Sequence, residues 1–143
     1  LEKRGKLMTL KNIGYGMQVE VALPYDRAVE RAREELAKEG FGVLTEIDVK
    51  ATLKKKLDVE FRPYIILGAC NPPLAHQALS AEPDIGLLLP CNVIVYATDD
   101  PGRSLVAVID PVTQLEITGN KQIGPVAEQV RGKMERVLRG LTN

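Results

Sequence analysis

Tyr64-Ile65-Ile66-Leu67-Gly68-Ala69-Cys70-Asn71-Pro72-Pro73 passes from strand to helix inside one short stretch. Ile65, Ile66 and Leu67 are consecutive apolar residues, the pattern of a strand covered on both faces. Asn71 is a favoured helix N-cap. Pro72 follows at the first helical position, where a missing N–H costs nothing. The stretch predicts a strand over 64–70 and a helix from 72 to about 81.

Upstream, Met17, Val19, Val21 and Leu23 alternate with Gln18, Glu20 and Ala22, as in a half-buried strand, and Pro24 ends the run. A helix is expected over about 26–39, with Val29, Ala32 and Leu36 on one face and charges elsewhere. Asp26 and Glu30 suit its positive end, and Gly40 is a left-handed stop. Residues 41–47 read as a second strand. Asp48 is an N-cap for a short helix over 49–57 that aligns Val49, Leu53 and Leu57 and carries Lys50, Lys54, Lys55 and Lys56 on its other face.

Downstream, strands near 91–98 and 104–110 flank Asp99-Asp100-Pro101-Gly102, a turn composition that predicts a hairpin. A last helix over about 124–140 aligns Val126, Val130, Met134, Val137 and Leu141. The order predicts an α+β, two-layer fold: a mostly antiparallel sheet with two long helices on one face (strand-helix-four strands-helix) plus short inserted helices. A doubly wound sheet would need regular alternation, which stops after residue 84. Ile65-Ile66-Leu67, Leu87-Leu88-Leu89 and residues 105–109 make both sheet faces apolar. The face away from the long helices must meet the short helices, a second subunit or a ligand cavity. A homodimer with some contribution from the inserted helices is the expectation.

A chain of 143 residues is one domain with a core sufficient for independent stability. Nineteen basic and nineteen acidic residues cancel, which argues against a nucleic-acid or membrane-surface binder. Two cysteines are too few for a disulfide scaffold, and no stretch reaches the roughly 18 apolar residues of a membrane span. The start lacks a signal-peptide apolar core, so the cytoplasm is the default location. Residues 1–12 are expected to form a disordered N-terminal extension, with Met8 a candidate natural start and residues 1–7 added, and 13–143 a single domain.

The cluster that combines reactive side chains with rigid backbone is Cys70-Asn71-Pro72 with Pro90-Cys91-Asn92, and His76 between them. Cys70 directly precedes a helix cap, so the helix field favours its thiolate. The first reading of Cys70 and Cys91 is core packing, with Cys91 the more firmly so. A reactive thiol assisted by His76, a Cys70–Cys91 disulfide, and a metal held by Cys70, His76 and Cys91 remain as alternatives. The metal spacing matches no standard zinc pattern, and water, Glu82 or Asp84 would have to complete the shell. His76 alone reads as a surface or satisfied helix histidine. Asn71 reads as a cap and Asn92 as a bend holder, with joint orientation of a polar ligand as the functional alternative.

Gly119-Asn120-Lys121-Gln122-Ile123-Gly124-Pro125 has the glycine spacing of a phosphate loop but lacks the lysine after the second glycine; a turn feeding the last helix is the reading. The lysines at 50–56 read as a solvated helix face. Ser80 and Ser104 have no nucleophile-elbow context. No acid/base pair stands out.

Three ordered blocks carry a resemblance: Gly40-Phe41-Gly42-Val43-Leu44-Thr45-Glu46-Ile47-Asp48, the run Tyr64 through Pro72 quoted above, and Gly86-Leu87-Leu88-Leu89-Pro90-Cys91-Asn92-Val93. They resemble the domain of unknown function 302 family, over about 14–141. The resemblance implies a TATA-binding-protein-like α+β arrangement and dimers. The family carries no established activity, so no catalytic residue transfers and the cofactor is unknown, and a shared layer arrangement does not carry DNA binding with it. Two functions follow as expectations. One is a non-enzymatic cytoplasmic homodimer that holds a small molecule or serves structurally, without nucleic-acid or membrane partners. The other is thiol-redox or metal chemistry at Cys70, with Cys91 and His76 as partners.

Overall fold

Alternating burial along the strands sets which side of the sheet meets the helices. The computed structural model describes residues 9–142. Strands β1 (Lys11–Asn12), β2 (Gly16–Val21), β3 (Gly42–Asp48), β4 (Tyr64–Cys70), β5 (Cys91–Ala97) and β6 (Ser104–Ile109) form one sheet in the order β1-β2-β6-β5-β4-β3. All of its pairings are antiparallel. The helices are α1 (Tyr25–Lys38), α2 (Val49–Leu57), α3 (Pro72–Ala81), α4 (Pro111–Leu115) and α5 (Ile123–Gly140), with 3₁₀ segments at Pro83–Leu88 and Glu116–Thr118. The predicted strand-helix-four strands-helix order is therefore observed. Lys11 and Asn12 pair with Gln18 and Met17, so the segment read as an extension joins the sheet at its end. The rest of that expectation, residues 1–8, lies outside the described residues.

Registration places Met17, Val19 and Val21 opposite Val108, Val106 and Ser104, and then Val93 and Val95 opposite Leu67 and Ile65. This face is buried. It packs against Ala28, Ala32 and Leu36 of α1 and Val126, Val130, Met134 and Val137 of α5 in one core. The two stripes were legible from helical spacing. Gly40 takes φ +82°, the left-handed stop expected after α1. The turn after Glu116–Thr118 is likewise the structural one: Asn120 accepts from the Gln122 N–H at 2.9 Å and feeds α5, with no phosphate-loop role needed. On α2, Lys50 donates to the Phe61 carbonyl at 2.9 Å and Lys54 pairs with Asp58 and Glu60, as a solvated face should.

The opposite sheet face carries Ile47, Ile66, Ile94 and Ala107 in one cross-strand row, with Tyr64, Tyr96 and Leu105 in the next. The Tyr64 and Tyr96 rings stack at 5.2 Å, with the Arg62 guanidinium 5.9 Å from the Tyr96 ring centre. The short helices contribute less cover than expected. No residue of α2 is buried, because its lysines and Leu57 turn to solvent, and α3 packs in the helix layer instead.

A charged cluster ties the long helices together. Glu35 is buried although it lies in a helix of charged residues. Its carboxylate accepts from Arg31 at 2.9 Å and Lys38 at 2.7 Å, while Arg31 also donates to the Gly140 carbonyl at 3.1 Å. A Cβ at position 140 would fall on the Glu35 carboxylate, so α5 comes this close only through glycine. Burial opposes ionisation of Glu35, but the hydrogen bonds and charges of Lys38 and Arg31 outweigh it and hold the carboxyl below its ordinary value of 4.5. A depressed carboxyl pKa gives stability that is present above the unfolded value and lost as pH falls through the folded one. Glu35→Gln should therefore destabilise the protein by roughly 1–3 kcal/mol at neutral pH. The difference from wild type should shrink below about pH 4; urea unfolding at the two pH values measures it.

Candidate functional site

The stretch that opens into α3 also builds an apolar hollow in the helix layer. Asn71 is the cap that the sequence predicts: its Oδ1 accepts the Leu74 N–H at 3.4 Å and its Nδ2 donates to the Glu39 carbonyl at 3.2 Å. The second bond fixes α3 against the end of α1, a tie between residues far apart in sequence. Across the sheet, Ala69 registers with Cys91, and Pro90 joins Leu89 through a cis peptide bond. The end of β4 and the start of β5 thus form a floor, and α3 leaves it at an angle that opens a space.

That space is a cavity of about 290 Å³. Ala69, Cys70 and Cys91 form its floor; Leu74 and Ala78 of α3 and Val126 and Val130 of α5 form its walls. Leu115 of α4 closes one side, and Leu44 of β3 and Leu79 of α3 stand at the mouth, 68% and 40% exposed. No charged side chain lines it.

The structure therefore brings Cys70, Asn71 and Cys91 together and leaves two of the other expected site residues out. His76 is exposed on α3 and does not line the cavity. Among the described residues no group of three or more His, Cys, Asp or Glu is placed to hold a metal ion, so the Cys70, His76 and Cys91 set is not assembled. The helix period is the reason: Leu74 and Ala78 take the inward face of α3 and turn His76 away. Asn92 lies on the opposite sheet face, near Tyr15 and Ile94, because strand neighbours alternate sides. It cannot orient a ligand jointly with Asn71. Both cysteines are free thiols. Burial pushes the Cys91 thiol up to about 11, and the nearby Cys70 adds to the shift.

Residues 17–141 match the family described as Domain of unknown function DUF302. The chain belongs to that family. A crystal structure of an uncharacterized conserved DUF302 protein from Bacillus stearothermophilus superposes with a TM-score of 0.82 at 26% identity, covering 90% of this chain and 98% of that one. A search of curated proteins finds no match. The DUF302 resemblance and the α+β architecture read from the sequence are both borne out. Nothing in these comparisons supports the thiol-redox alternative.

Sequence reasoning missed the wall and mouth residues as a site. Val126 and Val130 were legible only as a core stripe, and Leu44 and Leu79 carry no signal without the positions of β3 and α3. Two outcomes check the geometry. Iodoacetamide at neutral pH should label Cys70 first, because Cys91 is buried and its thiol, pushed up to about 11, holds little thiolate; peptide mass spectrometry resolves the two. Asn71→Ala should cost about 1 kcal/mol or more in chemical unfolding, since it removes a cap and a tie to α1.

Proposed function

We propose that this DUF302 protein is a non-enzymatic binding module, a cytoplasmic homodimer whose cavity between α3, α5 and the β4–β5 floor holds a small molecule. The cavity carries the reading. Packed interiors hold few voids larger than a water molecule, and a hollow of about 290 Å³ open at one side is of ligand-site size. The absence of charged side chains in its lining favours binding over acid–base chemistry. Balanced charge favours neither a nucleic-acid nor a membrane-surface partner, and no helix among the described residues is long and apolar enough to cross a membrane.

The uncovered sheet face supports the dimer. Ile47, Ile66, Ile94 and the Tyr64–Tyr96 stack form an apolar surface that α2 covers only in part. Surfaces of this kind mark association sites. Two copies related by a twofold axis would bury the same patch against itself.

Fragment screening by NMR should perturb signals of Leu74, Ala78 and Val126 together; a screen with no hit at these residues would overturn the ligand reading. Light scattering should give a dimer at micromolar concentration. Ile94→Glu should shift it to a monomer with unchanged circular dichroism, because a charge then has to be desolvated at the interface. A monomeric wild-type chain removes the dimer.

A further inference from the structure

The chemistry of the cavity narrows what it can hold, and this inference rests on the ligand-binding reading above. Recognition of a polar or charged molecule needs unpaired donors, acceptors or a counter-charge inside the site, because desolvating a polar group without a partner is costly. The cavity offers no counter-charge and little hydrogen-bonding capacity. Asn71 is the side-chain amide in its lining, and each of its polar atoms already has a backbone partner, Nδ2 the Glu39 carbonyl and Oδ1 the Leu74 N–H. Its other side chains are carbon or thiol, and the Cys91 thiol is buried.

The shape carries the argument further. An apolar cavity of about 150 Å³ takes a benzene ring. A volume of about 290 Å³ therefore has room for on the order of ten carbon atoms. It is open at one side, where Leu44 and Leu79 extend the apolar lining into solvent. Leucines held at 68% and 40% exposure beside such a mouth lengthen the greasy path beyond the enclosed part. A chain lying along it would bury its methylenes inside and keep its terminal polar group in water.

From these observations we infer that the ligand is a neutral aliphatic chain of up to about ten carbons, inserted tail-first between α3 and α5 with its polar end at the Leu44–Leu79 mouth. Affinity comes from apolar area alone. It must then rise with chain length until the enclosed space is full.

Straight-chain alcohols from pentanol to dodecanol, titrated into the purified full chain by calorimetry or NMR, test the inference. Each added methylene should tighten binding about fourfold, levelling off near ten carbons. Intermolecular NOEs should join the alkyl chain to the methyls of Leu74, Val126 and Val130. Ala75→Phe, at a half-buried wall position, should weaken nonanol binding at least tenfold while the circular dichroism stays unchanged. If that variant does not fold, the NOE pattern in the wild-type protein decides. Binding that ignores chain length, or alcohols that bind without contacts to those methyls, would overturn the inference. ATP, glucose 6-phosphate and glutamate serve as polar probes. If one of them perturbs the cavity and no alcohol does, the aliphatic class fails while the ligand-binding reading stands; if neither kind perturbs it, both fail.

Discussion

Pairing between β2 and β6 is the constraint on which the rest of this molecule depends. It puts the first long strand beside the last one, with Met17 opposite Val108 and Val19 opposite Val106. The chain must then cross the whole sheet through α1 before it can lay down β3 at the far edge, next to β4. The β3–β4–β5–β6 meander walks back toward β2, and α5 fills the helix layer beside α1. Residues more than eighty positions apart have to meet for any of this to be stable, so closing that long loop is the main entropic cost of the topology. The Ser104 hydroxyl, donating to the Leu23 carbonyl at 2.8 Å, reinforces the same junction.

The helix layer closes unevenly, and the cavity is the consequence. α1 and α5 are long enough to cover the centre of the sheet and are held together by the Arg31–Glu35–Gly140 cluster. At the β4–β5 end, cover falls to the shorter α3, which Asn71 anchors to the end of α1. Leu74 and Ala78 reach inward from it, but Ala69, Ala75 and Ala78 are small, so the space between α3 and α5 is not filled. The same unevenness separates two surfaces with different chemistry. One is an apolar hollow in the helix layer, open at one side; the other is an apolar sheet face on the far side, framed by the Tyr64–Tyr96 stack. DUF302 membership and the superposable Bacillus protein show that the framework is shared by a chain 26% identical to this one.

Much of the framework was readable from local rules. The bounds of β4, α2 and α3 fall where the consecutive apolar run, the Asp48 and Asn71 caps and Pro72 place them. Local rules failed where a residue's fate depended on a distant partner. Glu35 looked like one more solvent charge on α1 and is buried, because Arg31 and Lys38 compensate it and Gly140 makes room. Asp110 is a different case: it caps α4 through a local bond, accepting from the Val112 N–H at 3.0 Å, and the reading of a strand to 110 passed over the Asp110-Pro111 cap. His76 and Asn92 looked like neighbours of the cysteines because sequence distance is short; one residue's worth of helical turn and one strand alternation put them elsewhere.

The sequence by itself determined the long elements, their order, the apolar stripes and the two Cys-Asn corners, because capping, periodicity and turn chemistry act over a few residues. It also determined that the second sheet face would be apolar, since consecutive isoleucines and leucines in strands leave no other choice. Only the tertiary structure decided which corner residues share a site. Cys70, Asn71 and Cys91 meet because antiparallel register sets Ala69 beside Cys91, and register is a property of two strands, not of either one. The cavity is likewise a difference between the space that α3 and α5 enclose and the side chains available to fill it. That difference has no local signature in the chain.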